Sequence, residues 1–405
     1  MPKKPNEKEE REVQDNIRFI LEKINKSLKG AKAILGGSGV KGTWLKKAND
    51  ADIFVKFNYR KYKDKSAELS SILEKALKKK FKRLIKLHGS RDYFQIKEND
   101  FTTEIIPILD IKKAEQAENI TDVSPLHAEW VNKKGKRFKD DIRLLKQFLK
   151  ASGVYGAESY IHGFSGYICE ILVVYYKGFI NTIRNIAQWK DKVIIDIEGY
   201  WKGKDILMEL NKSKTISPVI VIDPVQADRN AAAAISKEKF EKLKQNAAEF
   251  IKRPSKRFFE IKEIDEGILK KKAGKNELIL LEVKPKKSKE DVAGCKLVKA
   301  LDFIKKKLED NSFMVLEHGF EWGKNENALF YFIIKKERLS GFIEREGPPL
   351  SNKIHVENFR KKHKNTFTKN SRIYAKIIRP YLKAADLIND LKKDIYLKDK
   401  IEGIA

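Results

Sequence analysis

The stretch GGSGVKGTWLKKANDADIFVKF, residues 36–57, decides the fold of this chain. A glycine-rich turn carries Ser38 and Lys41, and two acids, Asp50 and Asp52, stand at the start of an apolar, aromatic run that predicts a strand. Residues i and i+2 of a strand point to the same side, so the two carboxylates lie close together. Because like charges that close are unstable without a cation between them, we predict a Mg²⁺ site here. The glycines let backbone N–H groups approach a phosphate beside it.

A third acid, in the segment FTTEIIPIL, completes the predicted site. Glu104 lies in the middle of this second strand, in an apolar context where a carboxylate is costly unless it is used. We therefore predict that Asp50, Asp52 and Glu104 together hold two Mg²⁺ ions. Asp110 is the fallback ligand, although it follows Pro107, which we expect to end the strand and leave Asp110 off the metal face.

Each part of this pattern has a simpler explanation when it stands alone. The segment NDAD is typical of a solvated turn, and a single GGSG is a weak signal for phosphate binding. The order of the parts is what favours catalysis. A strand, a glycine–serine turn, a short helix, a strand that begins with two acids and a later acid on a neighbouring strand follow one another.

The composition indicates a basic protein with several domains that binds nucleic acid. The chain has 405 residues, of which 86 are Lys or Arg and 57 are Asp or Glu, a formal net charge of +29. Such a charge attracts polyanions, and nucleic acid is the expected partner. An anionic membrane surface is the second candidate, but the basic residues are spread along the whole chain rather than gathered on one helix.

The cysteines and the apolar runs narrow the cellular location. Cys169 and Cys295 are too few for a disulfide framework or a cysteine-based metal site. The first residues, MPKKPNEKEEREVQDN, are polar throughout, and no apolar run approaches the ~18 residues of a membrane span. We therefore expect a cytoplasmic protein without a membrane segment.

Hydrophobic periodicity predicts a small mixed α/β domain over residues 1–112. Glycine and proline positions mark the boundaries of its elements. The predicted elements are a helix at 8–29, a strand at 31–35, one or two helical turns at 41–48, a strand at 51–57, a basic helix at 65–87, and strands at 92–96 and 101–109.

The rest of the chain divides into three further predicted regions. Residues 113–255 are predicted to be helical, with one buried strand at VIVIDPV. Residues 256–340 give the order β-β-α-β-β, beginning with a strand at FFEIKEI. Residues 341–405 form a helical, basic tail, with a basic helix after GPPLSN, a strand-like segment RIYAKIIRPYL and short charged helices. In the segment ALFYFII both faces are apolar, which predicts a central strand.

The motif GGS-x-x-KGTWL-x₄-D-x-D resembles the signature of the nucleotidyltransferase superfamily, in the form used by archaeal, class I CCA-adding enzymes (tRNA nucleotidyltransferases). The resemblance continues well beyond this motif, to about residue 360, in the order of that family. The segments that carry it are SPLHAEWV, DDIRLLKQFLKASGVYGAES, HGFSGYICEILVVYY, VIDPVQADRNAAAAIS and GPPLSNKIHVENF.

This resemblance implies an architecture and a reaction. Residues 1–112 would form the palm-like catalytic head, a mixed sheet with helices, and 113–255 a helical neck with the nucleotide-selecting site. Residues 256–340 would form a small α/β body and 341–405 a basic tail. The enzyme would add C, C and A to the 3′ end of tRNA from CTP and ATP without a template, and would contact the acceptor stem and T-arm side of the tRNA.

The resemblance also assigns roles to the residues of the motif. Asp50 and Asp52 would hold the ion that gathers the triphosphate, and together with Glu104 they would hold a second ion that activates the 3′-hydroxyl of the RNA. Ser38 and Lys41 would contact the triphosphate. The family often has Arg at the position of Lys41, and Lys keeps the charge without the bidentate fork.

Four further residues are implied to bind the nucleotide. Lys146 and Tyr155 would contact phosphates, although on their own they are typical of a solvated helix face and a packing tyrosine. His127 lies at a family position near the nucleotide and equally fits a satisfied core histidine. Arg229 resembles the arginine that reads the incoming base, because its fork can donate to a base edge. Asp223 stays outside this set, as an orienting group or a turn residue.

The tail after the segment GPPLSNKIHVENF is shorter than is typical of the family. Two consequences stay open at this point. A shortened tail implies either weaker or altered measuring of the tRNA or dependence on a homodimer partner.

Two other functions stay open. One is another template-independent nucleotidyltransferase of the poly(A)-polymerase kind, which the head motif alone does not exclude but the segments around Arg229 and in the tail disfavour. The other is a non-catalytic, basic RNA-binding protein whose transferase head no longer works. The complete set of Ser38, Asp50, Asp52 and Glu104 argues against that second function.

Overall fold

The structure, a computed structural model, describes residues 7–45, 50–98, 101–261, 265–323 and 327–404. The chain forms two compact units, Met1–Lys262 and Glu263–Ala405. Within the described residues, the first unit contains two large apolar cores and the second unit contains one. In the first unit, the first core lies at the opening sheet and the second core lies among the later helices. The mixed α/β, multidomain fold class is confirmed, whereas the finer boundaries at 112, 255 and 340 stay predictions.

The first unit opens with a five-stranded mixed sheet. Its elements are α1 (Glu7–Asn25), β1 (Ala31–Leu35), α2 (Gly37–Lys41), β2 (Asp50–Asn58), α3 (Tyr59–Tyr62), α4 (Leu69–Lys78), β3 (Ile85–Leu87), β4 (Tyr93–Glu98) and β5 (Phe101–Asp110). The strand order is β1-β2-β5-β4-β3. Strands β2 and β5 run parallel, and the other pairs are antiparallel.

Alternation along β2 decides which side of this sheet carries the acids. Ile53, Val55 and Phe57 are buried in the first core, on the side that packs against α1 and α4. Because successive side chains of a strand point to opposite faces, Asp50 and Asp52 are directed away from that core. Burial of the odd-numbered residues therefore turns the acidic side of β2 outward.

Three local predictions in this region are wrong at their boundaries. The predicted helical turns at 41–48 lie earlier, at α2, and residues 43–45 are not helical, while 46–49 lie outside the described residues. The predicted helix at 8–29 ends at Asn25. The predicted basic helix at 65–87 is α-helical only at α4, where Leu69, Leu73 and Leu77 are buried at a spacing of four, and residues 65–68 belong to a 3₁₀ helix. Farther on, the chain pairs as the edge strand β3.

The prediction that Pro107 ends its strand is also wrong, since β5 continues to Asp110. Strand β4 pairs only with residues 101–105 of β5. Because β4 does not pair with position 107, the missing N–H of Pro107 removes no hydrogen bond to β4. The Pro107 carbonyl instead accepts a 3.0 Å hydrogen bond from the Arg91 side chain.

The second part of the first unit is mainly helical and surrounds a small sheet. Its elements are α5 (Ser124–Lys134), α6 (Lys139–Ala151), α7 (Gly166–Tyr176), α8 (Phe179–Ala187), β6 (Val193–Ile195), α9 (Ile206–Glu209), α10 (Lys212–Thr215), β7 (Val219–Asp223), β8 (Gln226–Asn230) and α11 (Lys237–Lys252). The sheet order is β6-β7-β8. Every residue of β7 is buried, which confirms the predicted strand at VIVIDPV.

The second unit contains a four-stranded and a three-stranded sheet. Its elements are α12 (Glu266–Ala273), β9 (Glu277–Pro285), α13 (Glu290–Asp310), β10 (Val315–Glu321), β11 (Ala328–Ile334), β12 (Phe342–Pro349), α14 (Lys353–Lys362), β13 (Thr366–Lys369), β14 (Arg372–Ile378), α15 (Ala384–Leu391), α16 (Ile395–Lys400) and β15 (Ile401–Ile404). The strand orders are β10-β11-β9-β15 and β12-β14-β13. Strand β11 is central, as predicted from its two apolar faces.

The predicted strand at FFEIKEI is wrong in its described part. Residues Lys256–Phe259 form a 3₁₀ turn, and residues 262–264 lie outside the described residues. Phe258 and Phe259 pack on the second core of the first unit, which explains why the two aromatic residues do not continue as a strand. Within the described residues, no helix combines the length and apolar character that a membrane crossing needs.

Candidate active site

The parallel pair β2 and β5 brings the predicted acids to one face of the sheet. Their register sets Asp52 opposite Glu104 and Asp50 opposite Thr102. Paired residues on adjacent strands point to the same side, and so do residues two apart along one strand. Asp50, Asp52 and Glu104 therefore share a face, the one directed away from the first core.

Two of these acids line one cavity of about 440 Å³, which we call the Asp52 cavity. The β-sheet side of the cavity carries Asp52 and Glu104, and its remaining wall comes from α2, α5, α7 and the loop before β4. The other residues of this wall include Gly37, Lys41, Arg91, His127 and Tyr167. Acids, cations and aromatic rings thus face one space, a combination that suits a charged ligand with a planar ring.

Asp50 lines a second cavity of about 430 Å³, which we call the Asp50 cavity. Ser38 and the basic side chains Lys139 and Arg143 line it as well. The three predicted acids therefore share a sheet face but not a single cavity. Within the described part of the chain, no three Asp, Glu, His or Cys side chains form a closed cluster able to hold a metal ion.

The donor set nevertheless fits a divalent cation in its chemistry. Carboxylate oxygens are the hard ligands that Mg²⁺ prefers, and Mg²⁺ fills its remaining positions with water and substrate phosphate rather than with a protein cage. Gly37 keeps this space open, because a Cβ at that position would lie 1.7 Å from Asp52 Oδ2. Gly37 also has a φ of +54°, which favours glycine.

The glycine turn is fixed to the strand that carries the acids. The Gly36 amide donates a 2.7 Å hydrogen bond to the Asp52 carbonyl. A Cβ on Gly36 would lie 2.3 Å from the Phe54 ring, so the close approach of turn and strand requires glycine here as well. The short helix α2 follows directly and ends at Lys41, which faces the Asp52 cavity.

A buried carboxylate, Glu170 on α7, collects the polar groups behind this turn. Lys41 Nζ donates to Glu170 Oε2 at 2.6 Å, and Lys146 Nζ donates to Glu170 Oε1 at 2.8 Å. Thr43 Oγ1 donates to the same Oε1 at 2.8 Å. Arg143 adds a 2.7 Å hydrogen bond to the Gly42 carbonyl. We call Glu170, Lys41, Lys146 and Thr43 the Glu170 cluster.

The two ammonium groups of the Glu170 cluster offset the effect of burial on the pKa of Glu170. Burial alone would raise the pKa of Glu170, but the ammonium groups of Lys146 and Lys41 hold it below its ordinary value. Burial also lowers the pKa of Lys41, although the Glu170 carboxylate opposes that effect. Glu170 is therefore an ionised, fully enclosed acid with two cations beside it.

A second buried carboxylate, Asp223 at the end of β7, holds two residues of the cavity wall, His127 and Tyr167. His127 Nε2 donates to Asp223 Oδ2 at 3.0 Å, and Arg229 Nη1 donates to the same oxygen. The Tyr167 hydroxyl donates to Asp223 Oδ1 at 3.2 Å. The rings of His127 and Tyr167 lie 4.2 Å apart between centroids. We call these four residues the Asp223 cluster.

Asp223 stays ionised in this cluster. Burial alone would raise its pKa, but the hydrogen bond and charge of His127, with help from Arg229, hold the pKa below its ordinary value. An ionised acceptor requires the proton of His127 to sit on Nε2, which leaves Nδ1 as an acceptor when the ring is neutral. Burial and the neighbouring Asp223 raise the pKa of Tyr167, so its hydroxyl stays protonated and donating.

The remaining predicted residues occupy distinct positions. Lys146 is 4% exposed, and its ammonium hydrogen-bonds to Thr43 and Glu170. Tyr155 Oη lies 2.8 Å from the Cβ position of Gly166, and burial raises its pKa. Neither residue is among the described residues that line the two cavities. Lys146, on α6, belongs to the Glu170 cluster, and both side chains pack beside Gly166 at the start of α7.

The fallback ligand Asp110 lies at the other end of the two strands. It is opposite Asn58 in the register, and its carboxylate pairs with Lys56 Nζ at 2.6 Å. Glu104 and Asp110 are separated by six positions of a strand that rises about 3.3 Å per residue. Asp110 is therefore too far from Asp52 to share an ion with it.

Sequence reasoning missed Glu170 altogether and set Asp223 aside. Both carry a signal that was used for Glu104, namely a carboxylate inside an otherwise apolar segment, GYICEILVVYY and VIVID. Applying the same criterion to every apolar run would have found both acids. Tyr167 has no comparable signal, because an aromatic residue at the start of an apolar helix is ordinary core composition.

Three family models match successive parts of the chain. They are the nucleotidyltransferase domain at residues 17–127, the second domain of tRNA nucleotidyltransferase at 140–260, and the C-terminal domain of CCA-adding enzyme at 277–397. The first covers β2 and β5, and the second covers Glu170, Asp223 and Arg229. The sequence resemblance is therefore confirmed along the chain.

Relatives match over nearly the full length. The chain is 35% identical over 397 residues to the CCA-adding enzyme of Nanoarchaeum equitans, covering 97% of this chain and 93% of that one. It is 30% identical to the CCA-adding enzyme of Methanocaldococcus jannaschii, covering 96% and 88%. A solved cytoplasmic RNA terminal U-transferase is 16% identical with a TM-score of 0.48, covering 64% of this chain and 95% of that one, a likeness too weak to bear on the assignment. This chain belongs to the family of CCA-adding enzymes, the tRNA nucleotidyltransferases.

Proposed function

We propose that this chain adds C, C and A in turn to the 3′ end of tRNA, taking CTP and ATP without a template and releasing pyrophosphate. The observation that carries the proposal is the match to CCA-adding enzymes over nearly the whole chain, together with acids held in register beside the Asp52 cavity. A poly(A)-polymerase-like activity shares the strand and turn motif, so the length of the product distinguishes the two.

Nucleotidyltransferases of this family take nucleotide substrates and use a divalent metal. We assign the metal ligands to Asp50, Asp52 and Glu104, and we propose two Mg²⁺ ions. When bound, these ions supply charge neutralisation at the triphosphate and lower the pKa of the attacking 3′-hydroxyl. The chain's own contribution is to hold three carboxylates on one sheet face and to keep Gly37 free of a side chain.

The triphosphate is held by the turn side of the Asp52 cavity in this proposal. Lys41 lines that cavity, and its bond to Glu170 uses one of its three N–H donors. Ser38 lies in the same turn, on the side of Asp50. Lys146 and Tyr155 were predicted as phosphate contacts, and their position near Glu170 supports an indirect part, in which they hold the wall behind Lys41.

The base is read by the Asp223 cluster in this proposal. Arg229 has a side chain 32% exposed and His127 one 14% exposed, so both are accessible, while Asp223 beneath them is fully buried. The Arg229 fork supplies donors for the acceptor edge of a base, and His127 Nδ1 supplies an acceptor when the ring is neutral. Cytosine and adenine each carry an exocyclic amine, which can donate a hydrogen bond to such an acceptor. Tyr167 offers a ring for stacking.

Transfer RNA is the proposed polymer substrate, and the net charge of +29 supports electrostatic binding of its phosphates. Helix α14 in the second unit ends in Arg360, Lys361 and Lys362, which suits contacts to the phosphates of the acceptor stem or T-arm. We expect a fourfold rise in salt concentration to lower the affinity for tRNA at least about tenfold. We further propose a cytoplasmic location and a homodimer, the latter to be tested by light scattering.

The decisive test is an incorporation assay on tRNA transcripts that end before CCA, after C and after CC. With Mg²⁺ present, CTP, ATP, UTP and GTP are offered separately and together. The expected result is addition of C, C and A followed by a halt, and loss of activity when EDTA removes the metal. Long A tails would reassign the chain to the poly(A)-polymerase kind, and tRNA binding without incorporation would make it a binding protein.

A matched pair of variants assigns the acids. Asp52→Asn should lower incorporation at least about a hundredfold, because it removes a charge at the reacting centre. Asp110→Asn makes the same change at the other end of the same two strands, where the acid pairs with Lys56. It should leave incorporation within about threefold. Equal losses in both variants would contradict the metal assignment.

A further inference from the structure

We propose that Glu170 is a positioning residue for triphosphate binding, which it serves by fixing the ammonium group of Lys41 at the wall of the Asp52 cavity. This inference rests on the proposed function, since it concerns how the same site holds CTP and ATP. Glu170 itself touches no part of a substrate, because its side chain is fully buried. Its effect on the reaction is therefore indirect and runs through Lys41.

The Glu170 cluster ties together parts of the chain that are far apart in sequence. Lys41 and Glu170 are 129 residues apart, and Lys146 and Glu170 are 24 apart. Lys41 lies at the end of the five-residue helix α2, which by itself is too short to hold a flexible side chain in place. Helix α7, in contrast, is enclosed in the second core. The 2.6 Å bond therefore holds the flexible side chain of Lys41 against the enclosed helix α7.

The count of charges indicates why this cluster points to an anionic ligand. One carboxylate and two ammonium groups leave a net charge of +1. Lys146 has a side chain only 5% exposed, and its ammonium hydrogen-bonds to Glu170 Oε1, Thr43 Oγ1 and the Thr43 carbonyl, at 2.8, 3.0 and 3.5 Å. These three bonds match the three donors of the ammonium. The excess charge is therefore available at Lys41, whose side chain is 12% exposed and lines the cavity.

A partly buried excess charge is costly in the free protein and is relieved when an anion binds. Burial lowers the pKa of Lys41, which agrees with a cation that has lost much of its water. Asp52 also acts on Lys41, but it is assigned to the metal ions. A phosphate chain is then the ligand that completes the charge balance. The base is not involved, so the effect is expected to be equal for CTP and ATP.

The test uses Glu170→Asp, which keeps the charge and shortens the reach by one methylene, and inorganic tripolyphosphate as a base-free probe. We expect Glu170→Asp to raise the Kd of tripolyphosphate, measured by calorimetry, about tenfold, the scale of one charge-assisted hydrogen bond. The KM values for CTP and ATP should rise by the same factor, with kcat within about threefold. Discrimination against UTP and GTP should not change.

A double-mutant cycle then asks whether Glu170 acts through Lys41. Lys41→Met should raise the Kd of tripolyphosphate at least as much as Glu170→Asp, and Glu170→Asp should add nothing in the Lys41→Met background. Asp141→Asn is the matched control. Asp141 accepts a 2.8 Å hydrogen bond from the Phe179 amide and joins α6 to α8 in the same core, without contact to Lys41. It should leave the Kd within about twofold.

Additive effects in the cycle, or an unchanged Kd in Glu170→Asp, would overturn the inference. Glu170→Gln gives a second measurement, made at a temperature at which its unfolding curve shows it to be folded. Loss of a negative charge alone would tighten binding of the anion, whereas loss of positioning weakens it. A wild-type protein that adds no nucleotides to tRNA would defeat the proposed function instead. Tripolyphosphate binding and the cycle remain measurable in that case, so the two failures are distinguishable.

Discussion

Two buried carboxylates, Glu170 and Asp223, hold neighbouring parts of the wall of the Asp52 cavity, and their partners differ in chemistry. Glu170 holds Lys41 and Lys146, whose side chains are 12% and 5% exposed. These partners are simple point charges, enclosed by α6 and α7. Lys146 uses its three donors within the cluster, whereas Lys41 uses one of its donors for Glu170. Neither ammonium group has a shape that distinguishes one base from another.

Asp223 holds groups of another kind. His127 and Arg229 have side chains 14% and 32% exposed, and Tyr167 adds a ring beside them. These partners are planar, they combine donors with an acceptor, and they reach toward solvent. A buried ionised acid therefore supports a fixed charge in one cluster and a set of oriented hydrogen-bonding groups in the other. If the proposed roles hold, affinity for the triphosphate and choice of base depend on different residues.

The largest expected effect is on stability and concerns Glu170→Gln. This change leaves Lys146 buried without a counter-charge, which costs about 3–5 kcal/mol in the free energy of unfolding. Asp223→Asn should cost less, about 1–3 kcal/mol, because its cationic partner Arg229 can regain water. Thermal and chemical unfolding of both variants measure the difference. A larger loss in Asp223→Asn would break the comparison.

The pH dependence of that loss sharpens the comparison. The folded pKa of Glu170 lies below its ordinary value of 4.5, so its contribution is complete above about pH 5 and is lost as the pH falls through the folded pKa. The gap in Tm between the wild type and Glu170→Gln should therefore be constant from about pH 8 to pH 5 and narrow below about pH 4. A gap that widens on acidification would contradict the assigned ionisation.

Base selection should respond to Asp223 and not to Glu170. In Asp223→Asn the neutral amide no longer fixes the His127 proton on Nε2 or the Arg229 fork, so discrimination of CTP and ATP against UTP and GTP should fall about 10- to 100-fold. The Kd of tripolyphosphate should stay within about twofold. Single-nucleotide incorporation ratios measure this. An unchanged ratio with a raised Kd would exchange the roles of the two carboxylates.

The smallest expected effect is that of Tyr167→Phe. It removes the 3.2 Å hydrogen bond to Asp223 and keeps the ring beside His127. The expected loss is about 0.5–1.5 kcal/mol of stability, with selectivity nearly retained. Thermal unfolding and the incorporation ratios check it. A selectivity loss as large as that of Asp223→Asn would mean that the hydroxyl, rather than the ring, serves the base.

The features predictable from the sequence are those set by local periodicity. The strand after residue 50, the buried strand at β7 and the central strand β11 follow from alternation or continuous apolarity. The spacing of Asp50 and Asp52 placed both on one strand face for the same reason. The register that sets Glu104 opposite Asp52 agrees with the predicted grouping, although only the paired strands reveal it.

The features that escaped prediction depend on distant partners. The end of α4 and the edge strand β3 are decided by pairing with β4, which a lysine-rich helical pattern conceals. Glu170 finds Lys41 across 129 residues, and His127 finds Asp223 across 96. A carboxylate in an apolar run signals that a partner exists, but not which one. Only the packing of the two cores of the first unit selects the partners.

The hairpin of β7 and β8 carries both Asp223 and Arg229, which are only six positions apart in the chain. The acid and the group that it orients thus lie in one short segment and can be replaced together. In the proposed function, an exchange of this hairpin would replace Asp223 and Arg229 together and is expected to change the nucleotide preference. Lys41 and Glu170, the proposed triphosphate contact and its positioning residue, lie outside this hairpin.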